Sequence, residues 1–236
     1  MDDRTSDPRV RSWRGDAGLP ETSLAKGGVR VTGSALDEGA QWYVTQDRFG
    51  WSTVVLVSDE TGAPLPDLRP VLQLSASRSA EPSQTALDVR EALGDRADHV
   101  GFALARISPH GGLLELLNVS LATVLVWHPN EGLSPYEPCH PSLAACTAQL
   151  SSEVIRLHSG GLVAMTTSGV LASAAGWAEL KQFVHDMAID PLGGTLAQAD
   201  PQEIGRLLAE AVPQGPRSSP RAAVMVGQPA AQTQVA

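Results

Sequence analysis

Five carboxylates fall close together early in the chain: Asp37, Glu38, Asp59, Glu60 and Asp67. Charged oxygen donors of this kind hold hard divalent cations, and this set could hold one. Cys139, His140 and Cys146 form a second set with ligand chemistry. They contain no C-x-x-C pair, so their spacing argues against zinc, and two ordinary thiols are expected. Ser168 is a third candidate, as a nucleophile. Thr166 stands where a G-x-S-x-G elbow needs its first glycine, and no His or Asp is placed to complete a triad. The glycine pairs at 111–112 and 160–161 read as turns, since neither sits in a phosphate-binding loop pattern.

Length and charge narrow the classes. The 236 residues suit one domain with tails, and a hydrophobic content of 42% is enough for a sizeable core. A formal net charge of -9 argues against nucleic acid, which calls for a basic face, and against an anionic membrane surface. No apolar run approaches the length needed to span a bilayer. The charged N-terminus lacks the apolar segment of a signal peptide, so a cytoplasmic location is expected. Residues 1–26 are polar and aperiodic and read as a flexible N-terminal tail; residues 229–236 read as a C-terminal one. The folded domain is expected over 27–228.

The elements that would position these side chains alternate between strand and helix groups. Residues 29–49 read as a strand pair turning at Asp37-Glu38-Gly39. The run Trp51–Asp59 is β-branched and ends in an acid, as a buried strand would. Gly and Pro break the chain through 62–66, and two helices are expected next, the second capped by Ser83. Three strands are expected over 100–132 and two more over 152–173 around Ser159-Gly160-Gly161. An amphipathic helix follows, with Trp177, Leu180, Phe183, Val184 and Met187 on one side. Another begins at Asp200-Pro201, and Arg221–Val226 closes with a strand. This order predicts an α+β fold: an αββα sandwich of two mostly antiparallel sheets flanked by helices.

Several segments carry a resemblance. Gly39-Ala40-Gln41-Trp42-Tyr43-Val44 is similar to a G-G-D-W-Y-D strand motif, and Asp59-Glu60-Thr61-Gly62 to the start of D-x-x-G-H-G. Residues 81–93 are similar to a P-x-x-x-L helix pattern, and the strand segment from Asn118 to an N-A-G-H motif. Thr167-Ser168-Gly169-Val170 is similar to T-D-G-V, and Pro220-Arg221-Ala222-Ala223 to D-D-A-T before a last strand. Taken in this order, the chain resembles the metal-dependent protein serine/threonine phosphatases of the protein phosphatase 2C (PPM-type) superfamily. The branch it resembles is the stage II sporulation protein E type.

That resemblance implies two Mg²⁺ or Mn²⁺ ions bridged by aspartates, which hold the water that attacks a phosphoserine or phosphothreonine. At the matching positions stand Gln41, Ser168, Pro220 and Arg221. Asp59 is the one motif acid that survives, with Glu60 supplying the carbonyl that follows it and Gly169 the motif glycine. A unit charge pair about 4 Å apart is worth roughly 4 kcal/mol at an effective dielectric of 20. Losing several carboxylates therefore removes the charge that offsets repulsion between two divalent ions. A non-catalytic, protein-binding regulator of bacterial signalling is expected, with no cofactor. The partner implied is an anti-sigma-factor antagonist or an active phosphatase. The alternative is an active phosphatase with rewired ligands, using Mn²⁺ or Mg²⁺. Trp42 and Tyr43 also have a plain reading, as strand aromatics in a core.

Overall fold

The computed structural model describes residues 11–15, 21–24, 30–35, 37–109, 112–121, 124–128, 131–146, 150–158, 160–171, 178, 181–182, 220 and 222–227. Among these, strands form two six-stranded sheets. The first runs β1 (Arg11–Gly15), β4 (Ala40–Gln46), β5 (Ser52–Asp59), β6 (Val100–Ile107), β7 (Leu113–Val119), β10 (Glu153–Arg156). The second runs β2 (Glu21–Leu24), β3 (Arg30–Ala35), β12 (Ala222–Gly227), β11 (Leu162–Thr166), β8 (Val124–His128), β9 (Gly132–Tyr136). Neighbouring strands pair antiparallel throughout. The architecture is α+β, as expected.

Strand alternation splits the core in two. In β4 and β5, Trp42 lies opposite Leu56, and Tyr43 opposite Val55. Successive side chains point to opposite faces. Trp42, Val44, Val54 and Leu56 therefore enter the space between the sheets, where they meet Val31, Val163, Met165 and Val224 of the second sheet. Tyr43, Val55 and Val57 face outward into a second apolar layer. Helices α1 (Arg69–Ser77) and α2 (Pro82–Leu93) cover that layer through Leu72, Ala86, Val89 and Leu93. Strands β4–β6 are buried on both faces for this reason, and so carry apolar residues without a clean polar alternation.

Four expectations need correction or limits. Two strands lie inside the segment 1–26 assigned to a tail: β1 pairs with β4 and β2 with β3. Both are sheet edges, and an edge strand gains its pairing without an apolar face. Helix α2 starts at Pro82 with Glu81 at its N-cap and no side-chain cap bond. Pro82 at the first position lacks an N–H that would otherwise go unpaired and has φ preset for the helix, while Ser83 lies inside it. Strand β9, with Pro135, was not anticipated; proline is tolerated there because β9 is an edge. The amphipathic helices expected around 177–187 and 200–212 lie outside the described residues, apart from Ala178, Lys181 and Gln182, which are helical. No described helix is long and apolar enough to cross a membrane.

Candidate functional site

Loops from both sheets meet at one end of the sandwich. The β3–β4 turn closes with the Ala40 amide donating to the Asp37 carbonyl at 3.1 Å. Beside it, the Asp59 amide donates to the Gly39 carbonyl at 2.7 Å, which ties the end of β5 to that turn. The chain then reverses over Asp59–Gly62, with the Gly62 amide on the Asp59 carbonyl at 2.9 Å. Gly62 has φ +75, a backbone conformation that glycine adopts without strain. A Cβ on Gly39 would fall 2.7 Å from Pro220 Cγ and 3.0 Å from the Gly62 Cα. Only a residue without a side chain lets these three loops close together.

The second sheet enters through Thr167 and Ser168. The Thr167 hydroxyl donates to the Pro220 carbonyl at 2.6 Å and accepts the Ala222 amide at 3.0 Å. This fastens the end of β11 to the start of β12 and fixes the first turn of α3 (Ser168–Leu171). The Ser168 hydroxyl donates to Glu60 Oε2 at 2.8 Å, bridging the ends of the two sheets. Gly169 is buried behind it. Arg221 lies outside the described residues.

Asp59 is 2% exposed. Its Oδ1 accepts the Thr61 amide at 3.0 Å and the Thr61 hydroxyl at 2.6 Å. Its Oδ2 accepts Arg96 Nη2 at 2.7 Å. Arg96 belongs to the 3-10 helix Gly94–His99, and nothing in the motifs points to it; an arginine between Asp95 and Asp98 reads as part of a solvated turn. Burial by itself would raise the Asp59 pKa. The hydrogen bonds from Thr61 and Arg96, together with the Arg96 charge, outweigh it and hold the carboxyl below its ordinary value. The stability this adds is present above the unfolded pKa of about 3.9 and is lost as pH falls through the lower folded value. Chemical denaturation from about pH 7 down to about pH 3 should show a constant gap between wild type and Asp59→Asn at the neutral end. The gap should close at the acid end; a gap that widens on acidification would contradict the assignment.

Gln41 does not join this cluster. Its Nε2 donates to the Leu65 carbonyl at 3.2 Å and its Oε1 accepts the Tyr43 hydroxyl. That hydroxyl also accepts the Leu68 amide at 3.2 Å, at the N-cap of α1. The β4–β5 register puts Gln41 opposite Val57, on the same face as Tyr43 and under the helical layer. A carboxylate here would set one oxygen against the Leu65 carbonyl in place of an N–H donor. Gln41→Glu should therefore lose roughly 1–3 kcal/mol at neutral pH, measured by urea unfolding, and recover part of it in acid. An unchanged midpoint would mean the carboxamide is not engaged as described.

These residues do not fit a two-ion centre. Among the described residues, no group of three or more His, Cys, Asp or Glu is placed to hold a metal ion. Asp59 is ion-paired, Asp67 is paired with Arg69 at 2.7 Å, and Glu60 holds Ser168. Cys139 is exposed and Cys146 is buried, with burial pushing the Cys146 thiol up to about 11.

No family model matches the chain, and no curated protein matches it. Solved structures do. The RsbU and RsbW domains of a Mycobacterium tuberculosis protein superpose with a TM-score of 0.63 at 13% identity, covering 89% of this chain and 63% of that one. RsbX in complex with magnesium gives 0.60 at 10% identity, covering 90% of this chain and 100% of that one. The PP2C phosphatase domain of SpoIIE from Bacillus subtilis, with a fragment of its regulatory domain, gives 0.56 at 14% identity, covering 92% and 62%. This chain thus spans less than two thirds of the first of these. Its two antiparallel sheets, with helices over one of them, form an α+β fold that matches the fold of these PP2C-type phosphatase domains.

Proposed function

We propose that the chain is a phosphatase-like regulator of bacterial signalling, of the stage II sporulation protein E type, that acts by binding another protein rather than by removing phosphate. One observation carries this reading: the surviving motif acid, Asp59, is committed to Arg96 and Thr61 within the protein. Ser168 and Gln41 replace acids with neutral groups that are themselves hydrogen-bonded internally. A fold can outlast its chemistry, because core packing and site chemistry are separable. The structural neighbours support a regulatory setting, since one carries RsbU and RsbW domains in a single chain and another is a cell fate determinant. The partner of this reading is an anti-sigma-factor antagonist or an active phosphatase.

The test is release of phosphate from a phosphoserine peptide in the presence of Mn²⁺. No release above the protein-free rate is expected. Sustained turnover that Asp59→Asn abolishes would overturn the reading in favour of a phosphatase with rewired ligands.

A further inference from the structure

We infer that Arg96 is the fixed counter-cation of Asp59, doing by covalent tether the charge neutralisation that a divalent ion would do at this carboxylate, and that it closes the position to metal. This deepens the reading above and rests on it for the place of Asp59 in the site.

A carboxylate removed from water needs a compensating charge or donors. Asp59 has both, and the turn that presents the cation is held in place from several sides. The 3-10 helix that carries Arg96 begins at Gly94, whose φ of +57 turns the chain out of α2, with its amide on the Arg90 carbonyl. Ala97 is buried in the helix-side core, and its carbonyl accepts the Ala144 amide at 3.1 Å. At the far end the His99 carbonyl accepts the Glu60 amide at 2.9 Å. The residue after Asp59 is therefore hydrogen-bonded to the same turn that presents Arg96. The guanidinium reaches Asp59 Oδ2 at 2.7 Å and the Ala63 carbonyl at 3.5 Å.

Two consequences follow from the chemistry of arginine. Arginine is a permanent cation in proteins, so the charge facing Asp59 does not depend on an ion being available. It is also part of the chain, so unlike a bound ion it does not dissociate. A divalent cation arriving at Asp59 would meet a like charge already on one oxygen, while the other oxygen is turned to Thr61.

The experiment is thermal unfolding over a Mn²⁺ titration for wild type, Arg96→Gln, Arg96→Lys and the double variant Asp59→Asn/Arg96→Gln. Wild type and Arg96→Lys should show no Mn²⁺-dependent rise in Tm. Arg96→Gln should melt below wild type without metal and rise with Mn²⁺, because an ion bound only to the folded state stabilises it. The double variant, with the carboxylate gone, should not respond. The inference is overturned by a folded Arg96→Gln that ignores Mn²⁺, by a wild type that responds equally, or by a response that persists in the double variant. Should Arg96→Gln not fold, the neutral double variant decides: a restored cooperative transition supports the pairing, and failure of both overturns it. Phosphate release by wild type would sink the binding-protein reading by a separate readout. A Mn²⁺-insensitive Arg96→Gln beside a silent phosphate assay would sink the counter-cation alone.

Discussion

Truncating Trp42 to alanine is expected to lower stability by about 3–5 kcal/mol. The indole is fully buried at the centre of the inter-sheet core. Its position is set by Gly33 on the facing sheet, where a Cβ would lie 2.8 Å from Trp42 Cε2 and 2.9 Å from Cδ2. The tryptophan thus packs against bare backbone and against Val224, and none of these can move in to fill the hole alanine leaves. Domains of this size are stable by roughly 5–15 kcal/mol, so the variant should sit near its folding threshold. Trp42→Phe should cost much less. It keeps most of the apolar contact and drops an indole N–H that finds no partner among the described residues. Urea midpoints measure both. A loss below about 1 kcal/mol for Trp42→Ala would place the ring outside the core.

A second large effect is expected at the opposite end of β5. Arg106 on β6 is buried, with Nη2 on Asp47 Oδ2 at 3.3 Å and Nη1 on Glu115 Oε2 at 3.0 Å. Its guanidinium stacks over Trp51, 4.5 Å from the ring centre. Asp47 in turn organises the β4–β5 hairpin: Oδ1 accepts the amides of Phe49 at 2.8 Å and Trp51 at 3.0 Å. Arg106→Met would leave the buried Asp47 carboxylate without the guanidinium it faces. Breaking a buried pair on one side typically costs about 3–5 kcal/mol. The double variant Arg106→Met/Asp47→Asn should recover a large part of that loss, because it removes the stranded charge as well. A double-mutant cycle by denaturant unfolding reads the coupling. Additive losses would show that the pair is not coupled and that the single effect is packing alone.

The central strands were legible because they are buried on two faces. Val54–Val57 and Phe102–Leu104 have no way to be stable except inside a sheet, and their composition says so. The strands that escaped notice, β1, β2 and β9, are all edges. They are held by pairing with one neighbour's backbone and carry Arg11, Glu21 or Pro135 without conflict, so period and propensity are silent about them. The glycines of the motifs were legible for a related reason: Gly39 and Gly62 answer to a close approach and a left-handed turn that few residues tolerate.

The chemistry was less legible than the frame. The face that Gln41 presents depends on pairing with Val57 and on the Tyr43 hydroxyl, neither of which a motif records. Arg96 is the clearest case. It stands 37 residues from Asp59, on a turn of common composition, and only the tertiary hydrogen bonds through Ala97 and His99 bring it to the carboxylate. Long-range charge pairing leaves no periodic trace for a sequence reading to find.

On the reading proposed above, the charge of Asp59 is neutralised by Arg96 and calls for no divalent ion. Calorimetric titration of the purified wild-type chain with Mn²⁺ addresses it directly. The heats should match those of dilution, with no saturable isotherm, and Asp59→Asn should give the same trace. Saturable binding of two ions per chain, abolished in Asp59→Asn, would contradict the account.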